Sequence, residues 1–219
     1  MKIKGVILDV DGTLVDSNDA HTRAWLEALS QHGHKCSYEE IRCRIGMGSD
    51  HLLPELIGVE KETPEGKRIS EAWSEIFERE YLPKLEAFPR TRELLLALKQ
   101  QGMKLVVASS AEKEMLDQLL EIAGANDLVE DTTSSDDAES SKPDPDIVNA
   151  ALDSIGLPAS EVIMLGDTPY DIEAARKLGI GTIALRCGGW DDEGLKGAVA
   201  VYDDPAGLLA HLDDPPLDD

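Results

Sequence analysis

The sequence predicts an α/β fold: a Rossmann-like parallel sheet flanked by helices, with an all-helical domain inserted near its start. In the second half of the chain, short apolar runs of strand length alternate with stretches of helical periodicity, which is the pattern of a parallel sheet. From about residue 17 to residue 85, apolar residues recur only at helical spacing. With 42% hydrophobic residues in 219, the chain can bury a substantial core.

The first element is a strand at 4–10, where a continuous aliphatic run ends at an Asp-Gly pair. After the helical segment, the alternating pattern begins with a helix at 91–101, which stops at Gly102. The remaining predicted elements are strand 104–108, helix 112–123, helix 144–155, strand 162–165, helix 171–178 and strand 182–185.

These patterns predict three segments. Residues 1–15 and 87–212 form a Rossmann-like core, residues 16–86 form an inserted helical domain, and residues 213–219 form an acidic, disordered tail. A second acidic run at 130–139 is predicted to be solvated surface, because blocks of like charge are rarely packed into a core.

Charge and cysteine content exclude several classes of function. A net charge of -23 repels phosphate backbones and anionic lipids, so neither nucleic acid nor a membrane is an expected partner. Three cysteines without CxxC spacing predict neither a disulfide framework nor a zinc site, which favours the reducing cytoplasm. No stretch approaches the ~20 apolar residues of a membrane span. The oligomeric state is left open, with a monomer as the simplest case.

Polar side chains follow three of the predicted strands. The segments are Asp9-Val10-Asp11-Gly12-Thr13, Ala108-Ser109-Ser110 and Gly166-Asp167-Thr168-Pro169-Tyr170-Asp171. Ligands of open parallel sheets bind at the carboxyl ends of the strands, so these segments are expected to converge. Between them, Lys142 precedes the turn Pro143-Asp144-Pro145 that opens a helix, and it can be directed inward.

Convergence would bring together the carboxylates of Asp9, Asp11, Asp167 and Asp171. Coulomb repulsion forbids this unless cations balance the charge. Oxygen ligands without a convergent histidine or cysteine favour Mg²⁺, which commonly shares itself with substrate phosphate. The sequence therefore predicts a magnesium-dependent enzyme that acts on a phosphate ester.

The residue types also predict individual roles. Asp9 is the candidate nucleophile, because the metal, Lys142 and backbone amides near Gly12 can neutralise a phosphoryl group. Asp11 can protonate the leaving alcohol and later deprotonate water. Gly12 permits close approach to the phosphoryl group, to which the hydroxyls of Thr13 and Ser109 can donate. Ser110 is an alternative to Ser109, and Asp171 is either a supporting residue or a helix-terminal charge.

In their order, these four segments resemble the four motifs of the haloacid dehalogenase superfamily. The resemblance implies Asp9 as nucleophile and metal ligand, Asp11 as acid/base and ligand through its carbonyl, and Asp167 as a further ligand. It implies that Ser109 and Lys142 hold the phosphoryl group and that Asp171 orients Lys142 or a metal-bound water. The helical insert would be the family's cap. Dehalogenases of this kind lack the aspartate at the position of Asp11, so the resemblance favours phosphoryl transfer.

Substrate specificity is expected to lie in the helical insert. His21 is placed either at the pocket mouth or on a helix surface. The glycine-rich break Gly46-Met47-Gly48, with Arg44 nearby, is either a substrate-reading loop or an ordinary helix connection.

The predicted function is hydrolysis of a small phosphomonoester, such as a sugar phosphate or phosphoglycolate, through an aspartyl-phosphate on Asp9. The alternative is a phosphomutase similar to β-phosphoglucomutase, which uses the same motifs. A binding protein without turnover is disfavoured, because it has no use for Asp11 as a proton donor.

Overall fold

The computed structural model of the chain describes residues 2–214 and 216–217. The chain divides into two compact units, Met1–Asp16 with Glu86–Asp219 and Ser17–Leu85. The first is called here the sheet unit and the second the helical unit. Among the described residues, no helix combines the length and apolarity needed to cross a membrane.

The sheet unit contains a six-stranded sheet in the order β3-β2-β1-β4-β5-β6, in which every neighbouring pair is parallel. The strands are β1 (Gly5–Leu8), β2 (Lys104–Ala108), β3 (Asp131–Thr133), β4 (Val162–Gly166), β5 (Gly181–Leu185) and β6 (Ala200–Tyr202). The predicted fold class is confirmed. In the central pairing, Leu8 lies opposite both Val107 and Leu165, so β1, β2 and β4 end at the same edge.

The helical unit contains α1 (Asn18–Gln31), α2 (Tyr38–Arg42), α3 (Ser49–Ile57) and α4 (Pro64–Ile76). A π-helical turn, Phe77–Tyr81, continues α4. One apolar cluster holds these helices together, because α1, α2, α3 and α4 each place aliphatic or aromatic residues in it. Its buried members are Trp25, Leu29, Ile41, Ile45, Leu52, Leu53 and Ile69.

The sheet unit contains α5 (Thr91–Gln100), α6 (Lys113–Ala123), α7 (Asp146–Ile155), α8 (Pro169–Lys177) and α9 (Pro205–Leu209). The helix α7 packs on the sheet: Ile147 and Ala151 share a core cluster with Ile7 of β1, Val106 of β2 and Met164 of β4. Strands this thoroughly covered read as uninterrupted apolar runs, which is why the sequence reveals them.

Two observations bear on the acidic segments of the sheet unit, and the first of them corrects a sequence-based prediction. The acidic run 130–139 is not wholly solvated, because β3 lies within it and the buried hydroxyl of Thr133 donates to the Val107 carbonyl at 2.8 Å. In the predicted disordered tail, Leu217 is buried. The same prediction also covered Pro215, Asp218 and Asp219, which lie outside the described residues.

Candidate active site at the carboxyl edge of the sheet

The turn after β1 fixes the backbone of Asp9. Its amide donates to the Leu165 carbonyl of β4 at 2.9 Å, which extends the sheet by one residue. The chain then folds back, with the Leu14 amide donating to the Val10 carbonyl at 2.8 Å. Gly12 takes a φ of 75°, a conformation that glycine adopts without steric cost. Asp9 is therefore buried at the strand end with a defined orientation.

Lys142 lies between two carboxylates and is only 1% exposed. Its Nζ donates to Asp9 Oδ1, to Asp171 Oδ1 at 2.8 Å and to the Ala108 carbonyl at 3.3 Å. Burial lowers the pKa of Lys142, but the charges of Asp171 and Asp9 outweigh burial and raise it above its usual value. The ammonium therefore stays charged and satisfies three acceptors.

Asp171 belongs to the capping box of α8, in which Thr168 is the N-cap, and it also contacts Lys142. Its Oδ2 accepts from the Thr168 amide at 3.0 Å and from the Thr168 hydroxyl at 2.7 Å. Its other oxygen accepts from Lys142. Asp171 is thus a helix-terminal residue, as one of the two interpretations supposed, and at the same time it holds the lysine ammonium in place.

Asp167, at the end of β4, is brought next to Asp9 by the Thr13 hydroxyl. That oxygen lies 2.9 Å from Asp9 Oδ2 and 2.9 Å from Asp167 Oδ1. A hydroxyl carries one proton, so it can donate to only one of these carboxylates.

Burial, together with the charges of Asp171 and Asp11, raises the pKa of the Asp9 carboxyl to about 7, although Lys142 opposes this shift.

A hard divalent cation fits this arrangement. Carboxylate oxygens of Asp9, Asp167 and Asp171 all lie within 4.8 Å of one another, and all three residues are buried. Lys142 and Thr168 engage the two oxygens of Asp171. Asp9 and Asp167 are therefore the carboxylates that suit Mg²⁺ here. Asp11 is half-buried, and its carboxylate does not belong to this group. The resemblance assigns metal binding to its carbonyl, which stays a prediction.

The second strand end places both serines at the same edge. Ser109 is buried, its amide donates to the Thr133 carbonyl at 3.0 Å, and its Oγ accepts from the Ala111 amide at 3.1 Å. These contacts fix the oxygen and leave the hydroxyl hydrogen as a donor. Ser110 Oγ is buried and has no hydrogen-bond partner within the part of the chain that the structure describes.

A further segment at this edge was not predicted from the sequence. The turn Arg186–Gly188 follows β5, and Cys187 Sγ donates to the Gly12 carbonyl at 3.4 Å. Burial raises the pKa of the Cys187 thiol, and the Asp167 charge adds to the effect, so the thiol keeps the proton that it donates. The parallel order of the strands could have revealed this segment, because the chain that follows β5 leaves the sheet at the same edge as the chain that follows β1.

The specificity candidates lie in the helical unit. His21 is buried and stacks on Phe77, with ring centroids 4.0 Å apart, so its placement on a helix surface is wrong. Arg44 pairs with Glu55 at 3.2 Å and donates to the Glu40 carbonyl at 2.8 Å. In the loop, Gly46 has a φ of 106°, Met47 is half-buried and Gly48 directly precedes α3.

The sheet unit thus combines a parallel sheet with a buried lysine that lies between two carboxylates at the carboxyl edge of the sheet. A family model described as haloacid dehalogenase-like hydrolase matches residues 6–185. The chain belongs to this family.

Individual proteins are similar along nearly the whole chain. A crystal structure of a hydrolase from Pseudomonas syringae is 32% identical, covers 97% of this chain and 99% of its own, and superposes with a TM-score of 0.90. The phosphoglycolate phosphatase of Rhodospirillum rubrum is 29% identical over 94% of this chain and 89% of its own. The putative pyrophosphatase PpaX of Caldanaerobacter subterraneus is 29% identical over 85% of this chain and 83% of its own.

Proposed function

We propose that this protein is a magnesium-dependent phosphoric monoester hydrolase that forms an aspartyl-phosphate on Asp9. The observation that carries the proposal is the environment of the Asp9 carboxylate. Lys142 contacts one of its oxygens, and the Asp167 carboxylate approaches the other through Thr13. The proposed nucleophile Asp9 therefore lies beside the fixed ammonium of Lys142 and beside carboxylate oxygens of Asp167 that can bind a second cation.

In the proposed reaction, an Asp9 oxygen attacks phosphorus and the bond from phosphorus to the substrate alcohol breaks. Asp11 gives its proton to the leaving alcohol. It then takes a proton from a water that attacks phosphorus, the bond between phosphorus and the Asp9 oxygen breaks, and inorganic phosphate leaves the regenerated Asp9 carboxylate. Lys142 and Ser109 donate to the phosphoryl oxygens, and Asp171 keeps Lys142 oriented. Asp9, Asp167 and the Asp11 carbonyl would hold Mg²⁺, which would supply positive charge to the phosphoryl group.

The names of the similar proteins support a small phosphorylated metabolite as substrate, since one is a phosphoglycolate phosphatase and another an N-acetylmuramic acid 6-phosphate phosphatase. Hydrolysis is preferred over a mutase reaction for a structural reason. Arg42 pairs with Asp19 at 3.3 Å and Arg44 pairs with Glu55 at 3.2 Å, so carboxylates of the helical unit already engage both arginines. A mutase needs cations to hold a second phosphate.

We further propose that the helical unit is a cap and that His21 and the loop Gly46-Met47-Gly48 select the substrate. Cytoplasmic action is consistent with the three cysteines, which are free thiols. The partner is then a small phosphorylated metabolite rather than a nucleic acid or a membrane.

Metal removal tests the proposed reaction. We expect hydrolysis of p-nitrophenyl phosphate to stop after dialysis against EDTA and to return when Mg²⁺ is added, because the carboxylates repel the phosphate dianion without a cation. Initial rates measured as a function of Mg²⁺ concentration check this expectation. The same series is measured with Ca²⁺ for comparison. Full activity in EDTA would show that the reaction needs no dissociable cation.

The same preparation is then assayed with 2-phosphoglycolate, sugar phosphates and hexose 1-phosphates. Release of inorganic phosphate supports the hydrolase. Conversion of a hexose 1-phosphate into its 6-phosphate without phosphate release would establish the mutase instead.

Ser109 and Ser110 form a matched pair of variants. We expect Ser109→Ala to lower kcat/KM by about tenfold or more, because it removes a hydrogen bond to a charged phosphoryl oxygen. Ser110→Ala removes a buried hydroxyl that has no partner among the described residues, so activity should stay near wild type. Steady-state kinetics of both variants decide between them, and a larger loss in Ser110→Ala would assign the phosphoryl contact to Ser110.

A further inference from the structure

The turn after β5, Arg186–Gly188, is fixed by contacts on both sides. The Gly189 amide closes it by donating to the Arg186 carbonyl at 2.8 Å. The Arg186 side chain pairs with Asp192 at 2.7 Å and with Asp203 at 2.8 Å. The Cys187 thiol joins the turn to the Gly12 carbonyl. The backbone of this turn is therefore held against the segment that follows β1.

Gly188 occupies a place where a side chain has no room. A β-carbon built on Gly188 would lie 1.7 Å from Asp167 Oδ2, 2.3 Å from Asp167 Cγ and 2.4 Å from Asp167 Cβ. Such distances are far below van der Waals contact, so the Asp167 carboxylate lies directly over the glycine. The backbone of Gly188 is not in the left-handed region that favours glycine. The missing side chain, and not backbone strain, is what this position requires.

The close approach of Asp167 to Gly188 affects the candidate active site, because the other carboxylate oxygen of Asp167 contacts the Thr13 hydroxyl. Asp167 Oδ1 lies 2.9 Å from the Thr13 hydroxyl, which also lies 2.9 Å from Asp9 Oδ2. A rotation of the Asp167 carboxylate away from Gly188 would shift Oδ1 as well. It would therefore change the spacing between the carboxylates of Asp167 and Asp9.

We propose that Gly188 is a positioning residue for metal binding: by leaving the space that the Asp167 carboxylate fills, it sets the distance between Asp167 and Asp9. The proposal rests on the function proposed above, in which these two carboxylates hold Mg²⁺. Groups behind metal ligands commonly have such effects, and their substitution costs about 10- to 100-fold in metal affinity.

The first test needs neither metal nor activity. Thermal unfolding in EDTA is compared for wild type, Gly188→Ala, Asp167→Gly and the double variant. We expect Gly188→Ala to lower Tm, and to lower it much less in the Asp167→Gly background, because that substitution removes the carboxylate and the Cβ that collide with the added methyl group. Equal lowering in both backgrounds would overturn the proposal. If Gly188→Ala alone does not fold, recovery of folding in the double variant supports it and failure to recover overturns it.

The second test measures metal binding directly. We expect the Mg²⁺ dissociation constant from calorimetry, and the Mg²⁺ concentration for half-maximal p-nitrophenyl phosphate hydrolysis, to rise about 10- to 100-fold in Gly188→Ala. High Mg²⁺ should restore much of kcat, which a general folding defect would not allow. An unchanged Mg²⁺ requirement in a folded Gly188→Ala protein would overturn the proposal.

Gly207→Ala is the matched control. The nearest atom to its β-carbon would be Asp204 Oδ1 at 3.5 Å, an ordinary contact, and alanine is favoured over glycine within α9, so Tm in EDTA should not fall and the Mg²⁺ requirement should not change. The outcomes also separate the two proposals. Wild-type protein without Mg²⁺-dependent hydrolysis contradicts the proposed function, whereas active wild type with an unaffected Gly188→Ala contradicts only the role of Gly188.

Discussion

Asp9→Asn is expected to reduce kcat for p-nitrophenyl phosphate on the order of 10⁴-fold or more, the scale seen when a nucleophile of a covalent mechanism is removed. The amide has nearly the size of the carboxylate, and its oxygen can still accept from Lys142, so the site keeps its shape. It cannot form the acyl phosphate. Steady-state rates of the purified variant check this expectation. Asp9→Ala is measured in parallel, because slow deamidation of the introduced asparagine would restore the aspartate.

Two further measurements make this result specific. Acid-quenched wild-type protein should carry one added phosphoryl group on the peptide that contains Asp9, as detected by mass spectrometry, and Asp9→Asn should not. Asp153→Asn, at an exposed position on α7, is the matched control and should retain full activity. Substantial turnover by both Asp9 variants would place the nucleophile elsewhere.

Lys142→Met is expected to damage both stability and catalysis. The substitution leaves the carboxylates of Asp9 and Asp171 buried without the ammonium that contacts them. Removing one partner of a buried ion pair costs about 3–5 kcal/mol of unfolding free energy. Loss of a fixed donor to the phosphoryl group should lower kcat by about 10²- to 10³-fold. Urea denaturation and initial-rate measurements provide the two numbers.

The chain supplies a matched control at Lys177. This lysine also contacts two carboxylates and a backbone carbonyl, namely those of Glu173, Asp144 and Pro143, but its side chain is 35% exposed. Solvent screens such pairs, so Lys177→Met should cost under about 1 kcal/mol and leave kcat unchanged. Similar losses of stability in both variants would show that burial of Lys142 adds nothing to its ion pairs.

The sequence was sufficient for the inner strands and insufficient for the outer ones. The predicted strand 104–108 coincides with β2, because the four residues after Lys104 are buried and form an unbroken apolar run. Strands β3 and β6 have three residues each. Three residues are too few for a period to show, and all three residues of β6 are half-buried, so no burial pattern marks it.

The candidate site likewise contains residues that the sequence predicted and residues that it did not. Segments that follow recognisable strands were predicted, because parallel strands end at one edge and Asp9, Ser109 and Asp167 each follow a strand directly. The role of Gly188 was not predicted, since it depends on a tertiary contact with an aspartate in another segment. The stacking of His21 on Phe77 was missed because it joins α1 to a turn far along the chain.

The points where the chain leaves and re-enters the sheet unit adjoin each other. Val15 pairs with Ala87 in an antiparallel bridge, and the Asp16 amide donates to the Glu86 carbonyl at 3.0 Å. Everything from Ser17 to Leu85 is therefore a side branch that begins and ends at one closed hairpin stem. Because the cost of closing a loop grows only slowly with its length, insertions or deletions within this branch are expected to leave the register of β1 with its neighbours unchanged.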